Sequence, residues 1–165
     1  MRILKNSLLA ALFLVPTLAA PAQDAKAKSA EHTAYHKALG GASAVSCFNA
    51  QVALGHIAKA DVSDQEKLKR AAGEAGGLGS GMAATGKMLA ECQKFMPESE
   101  KPAMKTLIDL CNLVSAEANA LIEVFKAKAR KGEGLAEAEK NFAAARAKVA
   151  QVLGGQMGFP MEIVK

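Results

Sequence analysis

Aromatic residues are scarce in this chain of 165 residues, which has no tryptophan, one tyrosine and six phenylalanines. A chain with so few aromatic rings offers little for nucleic-acid bases to stack on, which argues against a single-stranded nucleic-acid binding protein. β-Branched residues are also few beside Ala, Leu, Lys and Glu, and this composition favours helices over strands. The sequence therefore predicts an all-α protein.

A large charge of one sign is missing as well. The chain has 21 basic and 16 acidic side chains, a net charge of +5, and without Arg2 and Lys5 the net charge falls by two. The remaining basic residues are spread along the chain instead of forming a basic patch. This mild imbalance favours solubility and predicts no nucleic-acid partner.

Only one long apolar run is present, from Ser7 to Leu18, and it is shorter than the roughly 20 residues that span a bilayer. It follows Met1, Arg2 and Lys5 and precedes a small-x-small site that ends at Ala22. This order is typical of a secretory signal peptide, here residues 1–22. We therefore expect an exported protein, periplasmic or extracellular and bacterial, with no transmembrane segment in the mature chain.

Beyond the signal peptide, the sequence predicts one domain with four amphipathic segments. Residues 23–30 are small and charged and are expected to form a flexible leader. Residues 31–155 hold the four segments, whose short connections favour an up-down-up-down antiparallel four-helix bundle. The apolar tail, residues 156–165, either folds back over the open end of the bundle or acts as a docking segment.

Each segment has apolar positions at helical spacing, and the helix face that these positions form is called its seam. The first is expected near Glu31 to Lys59, and a capping box at Ser63–Glu66 is expected to start the second. Glycines at 40–41 and at 73–81 leave open whether these two helices break. The predicted seams are Tyr35, Leu39, Ala42, Val45, Phe48, Val52 and Ile57; Leu68, Ala71, Ala75, Leu78, Met82, Thr85, Leu89, Cys92 and Met96; Met104, Leu107, Cys111, Val114, Ala118, Leu121 and Phe125; and Leu135, Ala138, Phe142, Ala145, Val149 and Val152.

The three cysteines form an odd set in a chain expected to enter an oxidising compartment. At a helical rise of about 1.5 Å per residue, Cys47 and Cys111 fall at similar depths in the bundle, which makes them a candidate disulfide pair. Cys92 lies near the opposite end of its helix and is left as a free thiol or a link between two chains in a homo-oligomer. The alternative is that these cysteines are small buried hydrophobes.

Two weaker patterns suggest a metal. His32 and His36 are four residues apart, so that on a helix they share a face and could bind copper or zinc. Met157 and Met161 lie outside the seams and are soft ligands for Cu(I). The alternative for the histidines is that both are solvated side chains on the first turns of a helix.

Gly73, Gly77 and Gly81 are spaced by four residues and predict close helix packing, within the bundle or with another chain. The run from Gly81 to Lys87 resembles the start of a phosphate-binding loop but lacks the Ser or Thr that holds magnesium. Sequence motifs for a di-iron centre, covalent haem attachment and a serine nucleophile are missing. We expect an exported helical-bundle binding or structural protein without catalysis; the alternative is a small periplasmic carrier of copper, zinc or haem.

Overall fold

The computed structural model describes residues 25–161, with side chains from residue 31 onward, so the predicted signal peptide lies outside the described residues. This part of the chain is helical and contains no strand. The chain divides into two compact units, Met1–Tyr35 and His36–Lys165. The contacts between helices described below lie within the second unit. The elements are α1 (Ala25–Ala58), α2 (Gln65–Gln93), α3 (Lys101–Ala129), α4 (Leu135–Ala150) and a short π-helix (Gln151–Gln156).

The helices pack as a four-helix bundle, which confirms the predicted fold class. Helix α2 runs antiparallel to α3, because Gly86 lies against Cys111 while the earlier Gly79 lies against Ala118. Helix α1 runs in the same direction as α3. His36 of α1 contacts Glu100, which immediately precedes α3. Further along both helices, Cys47 of α1 contacts Cys111 of α3.

Helix α1 is one unbroken helix and differs most from expectation. It begins at Ala25, so residues 25–30 of the expected leader are helical, and it continues through the glycines at 40–41. The predicted seam is wrong at Tyr35 and Val45, which are 62% and 48% exposed, whereas Leu39, Phe48 and Ile57 pack half-buried against the core. Beside Leu54, the buried positions carry small or polar side chains, which large apolar residues at helical spacing do not reveal: Ser43, Ala44, Cys47, Ala50 and Gln51.

Helices α2 and α3 follow their predicted seams. Every seam residue of α3 is buried, and those of α2 are buried or half-buried. Helix α2 does not break at its glycines. Its N-cap is Asp64, whose carboxylate accepts a 2.8 Å hydrogen bond from the Lys67 amide, instead of the predicted Ser63. The helix start is thus shifted by one residue from the predicted capping box.

Close packing of α2 occurs at glycines other than the predicted ones. A Cβ atom on Gly79 would lie 2.8 Å from the Cβ of Ala118, so α2 and α3 approach too closely there for any side chain. Gly73, Gly77 and Gly81 are exposed, and a Cβ atom on any of them would meet no atom of the described chain within 4 Å. The predicted close packing within the bundle is therefore wrong for these three residues, because they face away from α3.

The chain after α4 turns back on the bundle. Phe159 stacks on Phe48 of α1 with ring centroids 4.9 Å apart. Met161 packs against Gly154, where a Cβ atom would lie 2.6 Å from the Met161 Cγ. As far as residue 161, the tail therefore packs on the bundle, while a position over its open end stays a prediction. None of the described helices is both long and apolar enough to cross a membrane.

Candidate functional site

A pocket of about 580 Å³ opens where the start of α3 meets α1, the α2–α3 connection and the π-helix end. This volume is within the range of small-molecule sites in proteins. Most of the pocket surface is apolar, although six of the fourteen lining residues are polar or charged. The pocket is lined by His36, Lys37, Gly40, Gly41, Ala44, Met96, Ser99, Glu100, Ala103, Met104, Thr106, Leu107, Gln156 and Met157.

Small residues on facing helices create this space. Gly41 has open volume beside it, whereas a Cβ atom on Gly40 would lie 3.2 Å from the Leu107 side chain. The α1 backbone therefore approaches α3 at Leu107 and leaves room beside Gly41. Three methionines from different elements line the pocket, and methionine side chains adapt to irregular shapes.

His36 and Glu100 form the charged contact of the pocket. The His36 Nδ1 atom lies 2.6 Å from the Glu100 Oε2, and the two side chains are 14% and 21% exposed. An ionised carboxylate can only accept a hydrogen bond, so Nδ1 donates to it. Glu100 also occupies the N-cap position of α3, where the helix dipole favours a negative charge. The pair thus fixes a polar group beside largely apolar walls.

A second polar group lies inside the bundle. Glu117 is fully buried, and its Oε1 accepts a 2.8 Å hydrogen bond from Arg146 Nη1. The same nitrogen donates to the backbone carbonyl of Gln51, and the Gln51 side-chain Nε2 donates to the backbone carbonyl of Arg146 at 3.1 Å. A Cβ atom on Gly55 would lie 2.5 Å from the guanidinium, so only glycine leaves it room. These bonds tie together α1, α3 and α4.

Burial changes the acidity of this group. Desolvation raises the pKa of the Glu117 carboxyl above its usual range, and the hydrogen bond and charge of Arg146 offset only part of that rise. Glu117 Oε2 and Gln51 Oε1 are buried and make no hydrogen bond within the described chain. Burying polar atoms without a hydrogen bond is costly. Because the bonds among Glu117, Arg146 and Gln51 join three helices, we interpret these residues as a structural clamp.

The Cys47 sulfur of α1 lies against one sulfur atom of α2 and one of α3. The Cys47 Sγ lies 3.5 Å from the Cys111 Sγ and 3.9 Å from the Met82 Sδ. Both cysteines are fully buried free thiols. The hydrogen bond to Cys111 and burial both raise the pKa of the Cys47 thiol. The structure therefore brings the candidate disulfide pair into contact, while the bond itself stays a prediction.

The predicted metal ligands do not form one site. His36 and Met157 line the same pocket, but His32 is an exposed residue of the first unit and Met161 packs on Gly154 outside the pocket lining. Within residues 25–161, no group of three or more His, Cys, Asp and Glu is placed to hold a metal ion. Cys92 is a half-buried free thiol on α2.

The residues of the buried polar clamp are not among those that the sequence analysis singled out. A signal was present, since Glu117 lies seven residues after Leu110 and seven before Val124, and both of those are core residues. A heptad position between two core residues is expected to be buried. The seam search omitted this position because its side chain is charged.

No known protein family, curated protein or solved structure matches the chain. The function of the protein is therefore inferred from the geometry of the sites described above.

Proposed function

We propose that the protein is an exported helical-bundle binding protein that holds a small amphipathic molecule in the pocket beside His36 and Glu100. The observation that carries this proposal is a pocket of about 580 Å³ with a mostly apolar surface and one fixed hydrogen bond between His36 and Glu100. Binding sites combine apolar surface with a few polar groups that orient the ligand.

The lining also suggests the class of ligand. Met96, Met104 and Met157 supply adaptable apolar contacts, and Lys37 adds a positive charge beside the His36–Glu100 pair. A molecule with an apolar body and a negatively charged or hydrogen-bonding end fits this arrangement. A methionine-rich surface further favours tolerance of several related ligands over strict selection of one.

Filling the pocket tests this proposal. Gly41 lines the pocket with open space beside it, so Gly41→Trp places an indole there without a backbone clash. Gly77→Trp is the matched control, because Gly77 is also an exposed helical glycine with open space and lies outside the lining. The probe is 1-anilinonaphthalene-8-sulfonate, an apolar dye with one negative charge, followed by its fluorescence.

We expect the dye to bind the unmodified protein and Gly77→Trp equally, and Gly41→Trp at least about tenfold more weakly, a loss of about 1.4 kcal/mol. Equal binding to all three proteins, or no binding to the unmodified protein, would contradict a small-molecule site in this pocket. Circular dichroism of each variant checks that the helices are retained.

Export is tested separately. The full-length chain is expressed in a bacterium, and the periplasmic and cytoplasmic fractions are analysed by intact mass. We expect a periplasmic product that begins at Gln23, because cleavage is expected after Ala22. A cytoplasmic product that retains residues 1–22 would contradict export.

A second candidate function is a small metal or haem carrier. The observation that favours it is that His36 and Met157 line one pocket together with Met96 and Met104, a combination of imidazole and thioether ligands that suits copper or haem. Elemental analysis and an absorption spectrum of the purified protein test this candidate. Stoichiometric metal or a Soret band that is lost in His36→Gln supports it, and neither appearing would exclude it.

A further inference from the structure

We propose that Cys47, Cys111 and Met82 form a binding site for Cu(I), separate from the pocket and independent of its ligand. The Cys47 thiol of α1 contacts both the Cys111 thiol of α3 and the Met82 thioether of α2. Thiolate and thioether are soft ligands, and this combination selects Cu(I) over harder cations.

The two distances from Cys47 are compatible with a three-coordinate metal. A metal bonded to three sulfurs at about 2.3 Å in a plane would hold those sulfurs about 4.0 Å apart. The Cys47 Sγ lies 3.5 Å from the Cys111 Sγ and 3.9 Å from the Met82 Sδ, so these two separations are within about half an ångström of that value. Binding would also require the Cys111 and Met82 sulfurs to lie at this separation from each other.

The packing of α2 helps to hold this geometry. A Cβ atom on Gly86 would lie 3.2 Å from the Cys111 Cβ, so glycine lets α2 come close to α3 one turn after Met82. Cys47 and Cys111 are both fully buried. The three sulfurs therefore lie on well-packed helices instead of mobile loops, as a preorganised site requires.

The ligand set also discriminates between metals. Structural zinc is almost always four-coordinate, and no third His, Cys, Asp or Glu lies near these cysteines in the described part of the chain. Cu(I) accepts three sulfurs. On binding, each thiol releases its proton to solvent, two S–Cu bonds form from the thiolates and one from the thioether, and the copper stays Cu(I).

The pocket reaches close to the cluster. Ala44 and Leu107 line the pocket, and the cysteines follow them by three and four residues along α1 and α3. At a rise of about 1.5 Å per residue, the cluster lies roughly 5 Å deeper than those lining residues. Met82 is half-buried, so the cluster is partly exposed at this residue.

The test is anaerobic titration of the fully reduced protein with Cu(I) supplied as its acetonitrile complex, in competition with the chelator bathocuproine disulfonate. We expect one Cu(I) per chain that the chelator does not remove at equal concentration, with two protons released. Cys47→Ser and Cys111→Ser are each expected to weaken binding about 100-fold or more, since even outer-shell changes cost 10–100-fold. Met82→Leu should weaken binding about tenfold.

Three variants serve as controls. Cys92→Ser removes a thiol outside the cluster, and Met88→Leu removes an exposed methionine from the same helix as Met82. His36→Gln removes the imidazole of the pocket. None of the three is expected to change Cu(I) affinity, and unchanged dye binding by Met82→Leu separates this site from the pocket proposed above.

Two results would overturn the site. One is unchanged Cu(I) affinity in the folded Cys47→Ser or Cys111→Ser variant, and the other is equal losses in the controls. X-ray absorption of the copper-loaded unmodified protein gives a readout that does not depend on how the variants fold. We expect three sulfur neighbours at about 2.3 Å, and a nitrogen- or oxygen-dominated shell would contradict the assignment.

Discussion

Glu117 on α3 and Arg146 on α4 form an ion pair at 2.8 Å in which the glutamate side chain is fully buried and the arginine side chain is 20% exposed. Arg146 also donates to the Gln51 carbonyl on α1, and Gly55 leaves the space for its guanidinium. The buried pair thus connects three of the four helices. A core built largely from Leu, Ala and Val has few features that fix one alignment of its helices, and this clamp supplies one.

Removing one partner of this pair is expected to cost much more than removing an exposed partner elsewhere. Arg146→Met leaves the Glu117 carboxylate buried without its counter-ion, and we expect a loss of about 3–5 kcal/mol in the free energy of unfolding. Arg70→Met is the control, because Arg70 is 81% exposed in its pair with Glu74, and should cost less than about 1 kcal/mol. Urea unfolding measures both values.

The double variant Glu117→Leu with Arg146→Met is expected to recover most of that loss, because it removes the unpaired buried charge. A double variant no more stable than Arg146→Met alone would show that the arginine acts through its packing and its bond to Gln51 instead of through the ion pair.

The raised pKa of Glu117 predicts a pH dependence of stability. A carboxyl whose pKa is higher in the folded than in the unfolded chain stabilises the fold fully below the unfolded value of about 4.5, and this contribution is lost as pH rises through the folded pKa. Glu117→Gln cannot ionise. We therefore expect the stability of Glu117→Gln relative to the unmodified protein to increase with pH above about 4.5.

Urea unfolding at a series of pH values measures this difference. Glu123→Gln controls for the loss of a carboxylate on the same helix, since Glu123 is exposed and paired with Lys126. The same pH profile in both variants, or a relative stability of Glu117→Gln that falls as pH rises, would contradict the prediction.

The fold was predictable because the seams of α2 and α3 contain large apolar residues at regular spacing, such as Leu107, Leu121 and Leu89, all of them buried. Helix α1 was harder to predict. Apart from Leu54, its buried residues are small or, like Gln51, polar, while two of its larger apolar residues, Tyr35 and Val45, are exposed. Helical periodicity alone does not reveal a face whose burial depends on close approach and on hydrogen bonds to other helices.

Of the candidate sites, the cysteine pair was predictable from the sequence and the pocket was not. Depth along the helices was enough to pair Cys47 with Cys111, because helix rise is regular. The pocket could not be predicted, since it depends on the space beside Gly41 and on the approach of the π-helix end through Met157. Both of these are properties of packing between distant parts of the chain.

Two sets of glycines in α2 are expected to respond in opposite ways to alanine. Gly79→Ala would place a Cβ atom 2.8 Å from the Ala118 Cβ, and we expect a destabilisation of about 1–3 kcal/mol from overpacking. Gly77→Ala and Gly81→Ala add a methyl group in open space and should stabilise the helix by about 0.4–1 kcal/mol each. Thermal unfolding measures all three.

This comparison also tests the oligomer contact expected at the exposed glycines. Analytical ultracentrifugation of Gly77→Ala and Gly81→Ala shows whether the association state changes. If these variants dissociate an oligomer or lose stability, the glycines pack against another chain. A monomer that becomes more stable supports a solvated face.

The cysteines are expected to differ in reactivity. Cys47 and Cys111 are fully buried, whereas Cys92 is half-buried, so iodoacetamide should modify Cys92 first and reach the other two only after denaturation. In a separate sample that has not been alkylated, diamide can take up two electrons and two protons from the buried pair, whose sulfurs need to approach by about 1.5 Å to form a disulfide. After oxidation we expect one free thiol per chain under denaturing conditions, and a Cys47–Cys111 peptide pair by mass spectrometry. Bound Cu(I) should block this oxidation, and a disulfide that includes Cys92 would contradict the pairing.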